Sequence, residues 1–182
     1  MKKLDEKILY KGKWINFKEI DYLNNEEKIL KWEAVERTNT TKSVVIVAKL
    51  VPSERYVFIK QYRPAIDNYV IGFPAGLVEQ EDIELEAKRE LEEETGYIGK
   101  VIDVSPEIRA NPALLTDYTM LVQMEIDENN KLNKNPKQKL EPSEDIEVML
   151  VPKEKSREFL IEQKNKGIDI GVGPWYIFGF KL

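Results

Sequence analysis

The spacing of apolar side chains predicts a chain built mainly from short β-strands. Apolar and polar positions alternate in part between residues 8 and 35, which is typical of strands with one solvent-exposed face. Two runs rich in β-branched and apolar side chains, 43–50 and 55–62, are typical of buried strands. Further strands are predicted at 69–73, 97–104, 119–126 and 146–151.

Capping residues and breakers predict two helices. Asp82 can cap the start of an acidic helix that runs to about Thr95, where Gly96 is a natural C-terminal cap. Pro152 opens a second helix, and Gly167 stops it after about Lys166.

Two further segments lack a clear period. Residues 127–145 are polar and lysine-rich, and they predict a long mobile loop. Residues 171–178 are aromatic and apolar, and we expect them to pack on the body of the protein.

The order of these elements indicates an α/β (α+β) fold, with an α/β/α sandwich of mixed sheets after an antiparallel β module. We place the β module at residues 1–40 and the main domain at 41–182. The strands of the module suggest a homodimer contact.

The composition removes several classes of chemistry. The 182 residues include neither cysteine nor histidine, which excludes thiol nucleophiles, disulfides, Cys/His zinc sites and Ser-His-Asp triads. A net charge of −5 argues against general nucleic-acid binding. The first seven residues lack a signal-peptide core and no run reaches the length of a membrane span, so we expect a cytoplasmic protein without a membrane partner.

Three carboxylates on the acidic helix are the strongest candidates for chemistry. Glu90, Glu93 and Glu94 are three and four positions apart and therefore share one helix face. They lie in the last turn, where the helix dipole disfavours negative charge, so they require a positive partner such as Arg89 or a divalent cation. Taken alone, the triplet would more often be a solvated surface.

The surrounding order of residues resembles the Nudix hydrolase signature. The stretch from Arg89 to Tyr97 fills the second half of that signature without a mismatch. The first half is one residue short after Gly76, so the first acid of the signature falls on either Glu81 or Asp82. We favour Glu81, because a loop absorbs a missing residue more easily than a helix.

Short motifs outside the signature resemble the ADP-ribose pyrophosphatase branch of this family. They are 61–64, which reads Gln-Tyr-Arg-Pro, and 74–76, which reads Pro-Ala-Gly. The resemblance implies a metal-dependent hydrolase that converts ADP-ribose to AMP and ribose 5-phosphate. Gly72 and the segment 111–118 depart from the branch, and the alternatives are another nucleotide sugar, a dinucleotide, or a non-catalytic nucleotide sensor.

The resemblance also implies the metal site. Glu90 and Glu94 would be the chief ligands of Mg²⁺, with Mn²⁺ as an alternative, and Glu93 and the Ala75 carbonyl would complete the set. Arg89 would orient these carboxylates.

Other residues would bind the substrate and activate water. Arg63 would hold a phosphate, while Trp32 and Glu33 would meet the nucleobase, in some relatives across a dimer interface. The candidates for the general base are Glu141, Glu144 and Asp145. We prefer Glu144, because it leads directly into a strand as the family pattern does.

Overall fold

The computed structural model describes residues 1–180, which form two sheets and three α-helices. The strands are β1 Lys2–Lys11, β2 Ile15–Leu23, β3 Ile29–Arg37, β4 Lys42–Val51, β5 Arg55–Arg63, β6 Asn68–Gly72, β7 Ala75–Leu77, β8 Lys100–Val104, β9 Tyr118–Asp127, β10 Ile146–Pro152 and β11 Asp169–Ile170. The helices are α1 Ile83–Thr95, α2 Ser156–Asn165 and α3 Val172–Phe178.

The first three strands form a separate antiparallel sheet in the order β1-β2-β3. This sheet is joined to the rest of the chain by the segment 111–118. The Val35 amide donates to the Leu114 carbonyl at 2.8 Å, and the Thr116 amide donates back to Val35 at 3.1 Å. Every residue of the edge strand β1 is solvent-exposed.

The second sheet is mixed and has eight strands. Its main path runs β11-β6-β5-β4-β9-β8, with β10 paired to β5 and β7 paired to β4. β4 and β9 are parallel over their whole length, which places Val44 beside Met120 and Leu50 beside Ile126. β4 and β5 meet only near their connecting turn, at Lys49 and Tyr56, so β5 is free to pair along its length with β10.

Helices cover this sheet through two buried clusters. In one cluster Ala87 and Leu91 of α1 pack with Val44, Ile46 and Val122 of the central strands. The other cluster holds Phe58, Ile71 and Phe73 with Leu160 of α2 and Phe178 of α3. Helices packed through both clusters give the layered α/β arrangement with mixed sheets that the sequence predicts.

Capping fixes α1 at both ends. The Asp82 side chain accepts a hydrogen bond from the Leu85 amide, and Gly96 adopts a left-handed conformation with φ 74°. Glu81 lies exposed just before the helix. The predicted bounds of α1 are therefore confirmed.

The segment 127–145 connects β9 to β10 as the predicted loop, and it has more hydrogen-bonded structure than its sequence indicates. It contains a short 3₁₀ helix, Lys131–Lys134, and it is bonded to the end of α1. Gln138 donates to the Glu94 carbonyl at 2.7 Å, and the Lys139 amide donates to the Glu93 carbonyl at 2.8 Å. The spacing of apolar residues does not predict this structure, because amide hydrogen bonds to the last carbonyls of a helix hold the segment, not apolar burial.

Smaller differences concern the ends of elements. β8 starts at Lys100 instead of Tyr97, and α2 starts at Ser156 after a 3₁₀ turn over Lys153–Lys155. The aromatic segment at 171–178 packs on the body as the short helix α3. Within residues 1–180, no helix has the length and apolar character needed to cross a membrane.

Candidate active site

An open cavity of about 400 Å³ lies between α1, the start of β7 and the end of β5. Glu90, Glu93, Glu94 and Arg89 of α1 line one side of it. The lining also includes Ala75, Arg63, Glu141 and Glu144. Most of the residues that the sequence predicts for the site therefore line this cavity.

Glu90 and Glu94 of α1 are both buried. Glu90 forms an ion pair with Arg89, whereas Glu94 forms none within residues 1–180. Glu94 is 2% exposed, and its Oε2 accepts a hydrogen bond from the Ala75 amide at 2.9 Å. Burial raises the pKa of Glu94 to about 8, and nearby Glu90 adds to the effect. Burial likewise raises the pKa of Glu90 to about 7, although the Arg89 guanidinium opposes the change. Ionising Glu90 and Glu94 in this buried environment is unfavourable unless a cation compensates their negative charge.

Gly76 allows Glu90 to approach the backbone. A Cβ atom built at Gly76 would lie 2.0 Å from the Glu90 carboxylate, closer than any side chain tolerates. A side chain at position 76 would therefore displace the Glu90 carboxylate from its place against β7.

Arg89 bridges three carboxylates of its own helix. Its Nη1 donates to Glu93 Oε2 at 2.7 Å, and its Nη2 donates both to Glu90 Oε1 at 2.7 Å and to Glu86 Oε2 at 2.8 Å. Sequence reasoning anticipated the first two contacts but missed Glu86, which is 1% exposed. Its position three residues before Arg89 was the available signal.

The arrangement suits a divalent cation after small side-chain movements. Carboxylate oxygens are the ligands that Mg²⁺ and Mn²⁺ prefer, and two of them here are buried and destabilised as anions. Among residues 1–180, no three acidic side chains stand together as a ready-made ion site. Oxygens of Glu93 and Glu94 accept hydrogen bonds from Arg89 and the Ala75 amide. The chemical type of the donors fits a divalent ion, and the ligand roles of Glu90, Glu93, Glu94 and the Ala75 carbonyl stay predictions.

The three candidate bases differ in their surroundings. Glu144 is half-buried, lines the cavity, and lies close enough for its charge to raise the pKa of Glu90 and Glu94. Glu141 lines the cavity as well, whereas Asp145 accepts a hydrogen bond from the Tyr69 hydroxyl.

Three further polar or charged side chains line the cavity. Arg63 lies at the end of β5 and forms no ion pair with any described residue. Arg37, which sequence reasoning missed, pairs with Asp117 through Nε at 2.9 Å. Gln61 was quoted only as part of a motif; it is 8% exposed, lines the cavity, and its buried Oε1 has no hydrogen-bond partner within residues 1–180.

Trp32 and Glu33 are not brought into this cavity in the single chain. Trp32 is 48% exposed, and its indole N–H donates to the Ala113 carbonyl at 2.8 Å. Glu33 is exposed on β3 opposite Glu19. Their role in substrate binding stays a prediction.

The layered fold with mixed sheets and the cavity lined by clustered carboxylates together suit a hydrolase that uses a divalent ion. The family model for the NUDIX domain matches residues 40–166, and the chain therefore belongs to the Nudix family.

Similar proteins include several named pyrophosphatases. The chain is 33% identical over 156 residues to the ADP-sugar pyrophosphatase of Mus musculus, covering 81% of this chain and 72% of that protein. It is 32% identical over 164 residues to the ADP-ribose pyrophosphatase of Saccharomyces cerevisiae, covering 85% and 71% of the two chains.

A solved structure shares the fold. The crystal structure of an ADP compounds hydrolase superposes with a TM-score of 0.67 at 17% identity, covering 92% of this chain and 96% of that one. The predicted family and the predicted fold class are both confirmed.

Proposed function

We propose that the protein hydrolyses the diphosphate linkage of ADP-ribose-type compounds, and that ADP-ribose itself gives AMP and ribose 5-phosphate. The observation that carries the proposal is a cavity with Glu90 and Glu94 on one wall and, on another, Arg63, which forms no ion pair within residues 1–180. The names of the mouse and yeast relatives support the substrate class.

Glu90, Glu93 and Glu94, with the Ala75 carbonyl, would hold the divalent cation, for which we propose Mg²⁺ or Mn²⁺. When bound, such an ion neutralises phosphate oxygens and lowers the pKa of water. Arg89 keeps the carboxylates aligned, because one guanidinium contacts both Glu90 and Glu93.

Arg63 would bind a phosphate of the substrate through two parallel hydrogen bonds. A guanidinium suits this task because its planar fork matches two phosphate oxygens. The absence of an ion pair among the described residues leaves the Arg63 donors available.

Glu144 would be the general base. In the proposed reaction a water oxygen bonds to one phosphorus while the bond from that phosphorus to the bridging oxygen breaks, and the water proton passes to the Glu144 carboxylate. Its place on the cavity wall supports this assignment over Asp145, which Tyr69 already engages.

The N-terminal sheet would form a homodimer and bring Trp32 and Glu33 to the nucleobase bound by the partner. The exposed edge strand β1 carries apolar side chains, with Ile8 48% exposed and Tyr10 67% exposed. An exposed edge of this kind is suited to pairing with another chain. A monomer by light scattering would rule the dimer out. Ile8→Glu should dissociate it, whereas Leu132→Glu, at an exposed apolar site outside the N-terminal sheet, should not.

A panel of diphosphate compounds tests the function. Purified protein with Mg²⁺ is incubated with ADP-ribose, an ADP-hexose, another nucleotide sugar and a dinucleotide, and the products are separated by chromatography. AMP from ADP-ribose supports the proposal, and fastest turnover of another compound would correct the substrate. No turnover of any compound would favour a nucleotide-sensing domain, which would still bind ADP-ribose by calorimetry. Cell fractionation tests the proposed cytoplasmic location.

A further inference from the structure

Glu86 connects the helix, the loop before it and Arg89. Its Oε2 accepts hydrogen bonds from Arg89 Nη2 at 2.8 Å and from the Glu79 amide at 3.3 Å. Glu79 lies in the loop that is one residue short of the family signature. One carboxylate oxygen therefore fixes both the shortened loop and the guanidinium.

Apolar packing alone does not account for a carboxylate at this position. Glu86 is 1% exposed and lies next to Ala87, which belongs to the buried core. Its Oε1 is buried and has no hydrogen-bond partner among residues 1–180. A buried and unpartnered oxygen is unfavourable, so a smaller or neutral side chain would suit the packing better.

Neither of the acids that the signature would place here contacts Arg89. Glu81 is exposed in the loop, and the Asp82 carboxylate caps the first turn of α1. Glu86 is the acid outside the proposed metal ligands that bonds to the Arg89 guanidinium.

We propose that Glu86 is the positioning residue that orients Arg89 and, through it, the metal-binding face of Glu90 and Glu93. The proposal rests on the proposed function, because it assigns Glu86 a part in building the same site. Without Glu86, the guanidinium loses one of its three carboxylate partners and is held by Glu90 and Glu93 alone, where it competes more strongly with the cation.

The test is Mn²⁺ binding, followed by electron paramagnetic resonance, in Glu86→Gln. Glutamine keeps the size of the side chain and an oxygen for the Glu79 amide, but it removes the charge that holds Arg89. We expect the dissociation constant for Mn²⁺ to rise about tenfold. The matched control, Glu81→Gln, removes one exposed charge from the same loop and should bind Mn²⁺ within twofold of the wild-type protein.

A double-mutant cycle separates positioning from a general effect of charge. If Glu86 acts through Arg89, then Glu86→Gln should weaken Mn²⁺ binding no further in an Arg89→Ala background. Additive effects would overturn the proposal, as would equal losses in Glu86→Gln and Glu81→Gln. Thermal melts in EDTA show which variants remain folded.

A measurement on the wild-type protein keeps the proposal testable if Glu86→Gln does not fold. The Arg89 Nη2 protons should exchange slowly with water in NMR spectra, and fast exchange would overturn the proposal. Hydrolysis is measured separately: an inactive wild-type protein contradicts the proposed function, whereas the Mn²⁺ comparison still decides the role of Glu86.

Discussion

Replacing Glu94 by Gln should stabilise the metal-free protein at alkaline pH. The same change should remove the stabilisation that Mg²⁺ gives the wild-type protein. Burial raises the pKa of Glu94 from an ordinary 4.5 to about 8. A tenfold change in a dissociation constant corresponds to about 1.4 kcal/mol, so ionising this group in the folded state costs on the order of 5 kcal/mol at most.

The raised pKa of Glu94 makes the free energy of unfolding depend on pH. A carboxyl group whose pKa is higher in the folded protein contributes its full stability below the unfolded value near 4.5, and this contribution is lost as the pH rises toward 8. The raised pKa of Glu90, about 7, acts in the same direction. The free energy of unfolding of the wild-type protein in EDTA should therefore fall between pH 5 and pH 8.5.

Urea denaturation followed by circular dichroism measures the effect. In EDTA at pH 8.5 we expect the free energy of unfolding of Glu94→Gln to exceed that of the wild-type protein by about 2 kcal/mol or more. The difference is smaller than the full electrostatic cost because the folded protein relaxes around the charge. At pH 4 the free energies of unfolding of the two proteins should agree within about 0.5 kcal/mol. Saturating Mg²⁺ should stabilise the wild-type protein by roughly 3 kcal/mol at a hundredfold excess over its dissociation constant, and the variant very little.

The control is Glu84→Gln on the same helix, whose side chain is 57% exposed and pairs with Lys88. It should change the free energy of unfolding by less than about 0.5 kcal/mol at any pH. If Glu94→Gln were less stable than the wild-type protein at pH 8.5 without metal, or if wild-type stability did not change from pH 5 to pH 8.5, the assignment of a buried and strained carboxylate would be wrong.

Three further variants address other parts of the site. Glu144→Gln should lower kcat about 100-fold with little change in Mn²⁺ affinity, because it removes a base and not a metal ligand; an unchanged kcat would reject that role. Arg63→Lys should raise KM roughly tenfold and leave the free energy of unfolding unchanged, since lysine cannot form the paired contact to phosphate; an unaltered KM would count against the clamp. Gly76→Ala should abolish Mn²⁺ binding, because the new Cβ would overlap the Glu90 carboxylate, whereas Gly72→Ala, whose Cβ meets nothing within 4 Å, should bind Mn²⁺ normally.

The helix that carries the proposed metal ligands could be predicted almost to the residue. Its start and end depend on local chemistry, namely the cap at Asp82 and the left-handed glycine at Gly96. The shared face of Glu90 and Glu94 follows from helical spacing alone. The contacts of the loop 127–145 with α1 could not be predicted, because they are single hydrogen bonds to a helix end that is distant in sequence.

Local sequence does not predict which other residues lie near the acidic helix. Arg63 and Glu144 approach the acidic helix only because β5 and β10 are neighbours in the sheet, with Ile146 opposite Gln61. Arg37 enters the cavity from the separate N-terminal sheet. Their approach depends on strand order, which no local pattern encodes.

The sequence by itself determined the acidic helix, its caps, the family signature and the absence of thiol and imidazole chemistry. The tertiary structure decided which acid supports Arg89, since Glu81, Asp82 and Glu86 are all available within one short stretch. Only the packing of α1 against the shortened loop buries Glu86 and leaves Glu81 in solvent. Burial and proximity are properties of the folded chain, and for that reason they could not be predicted from spacing.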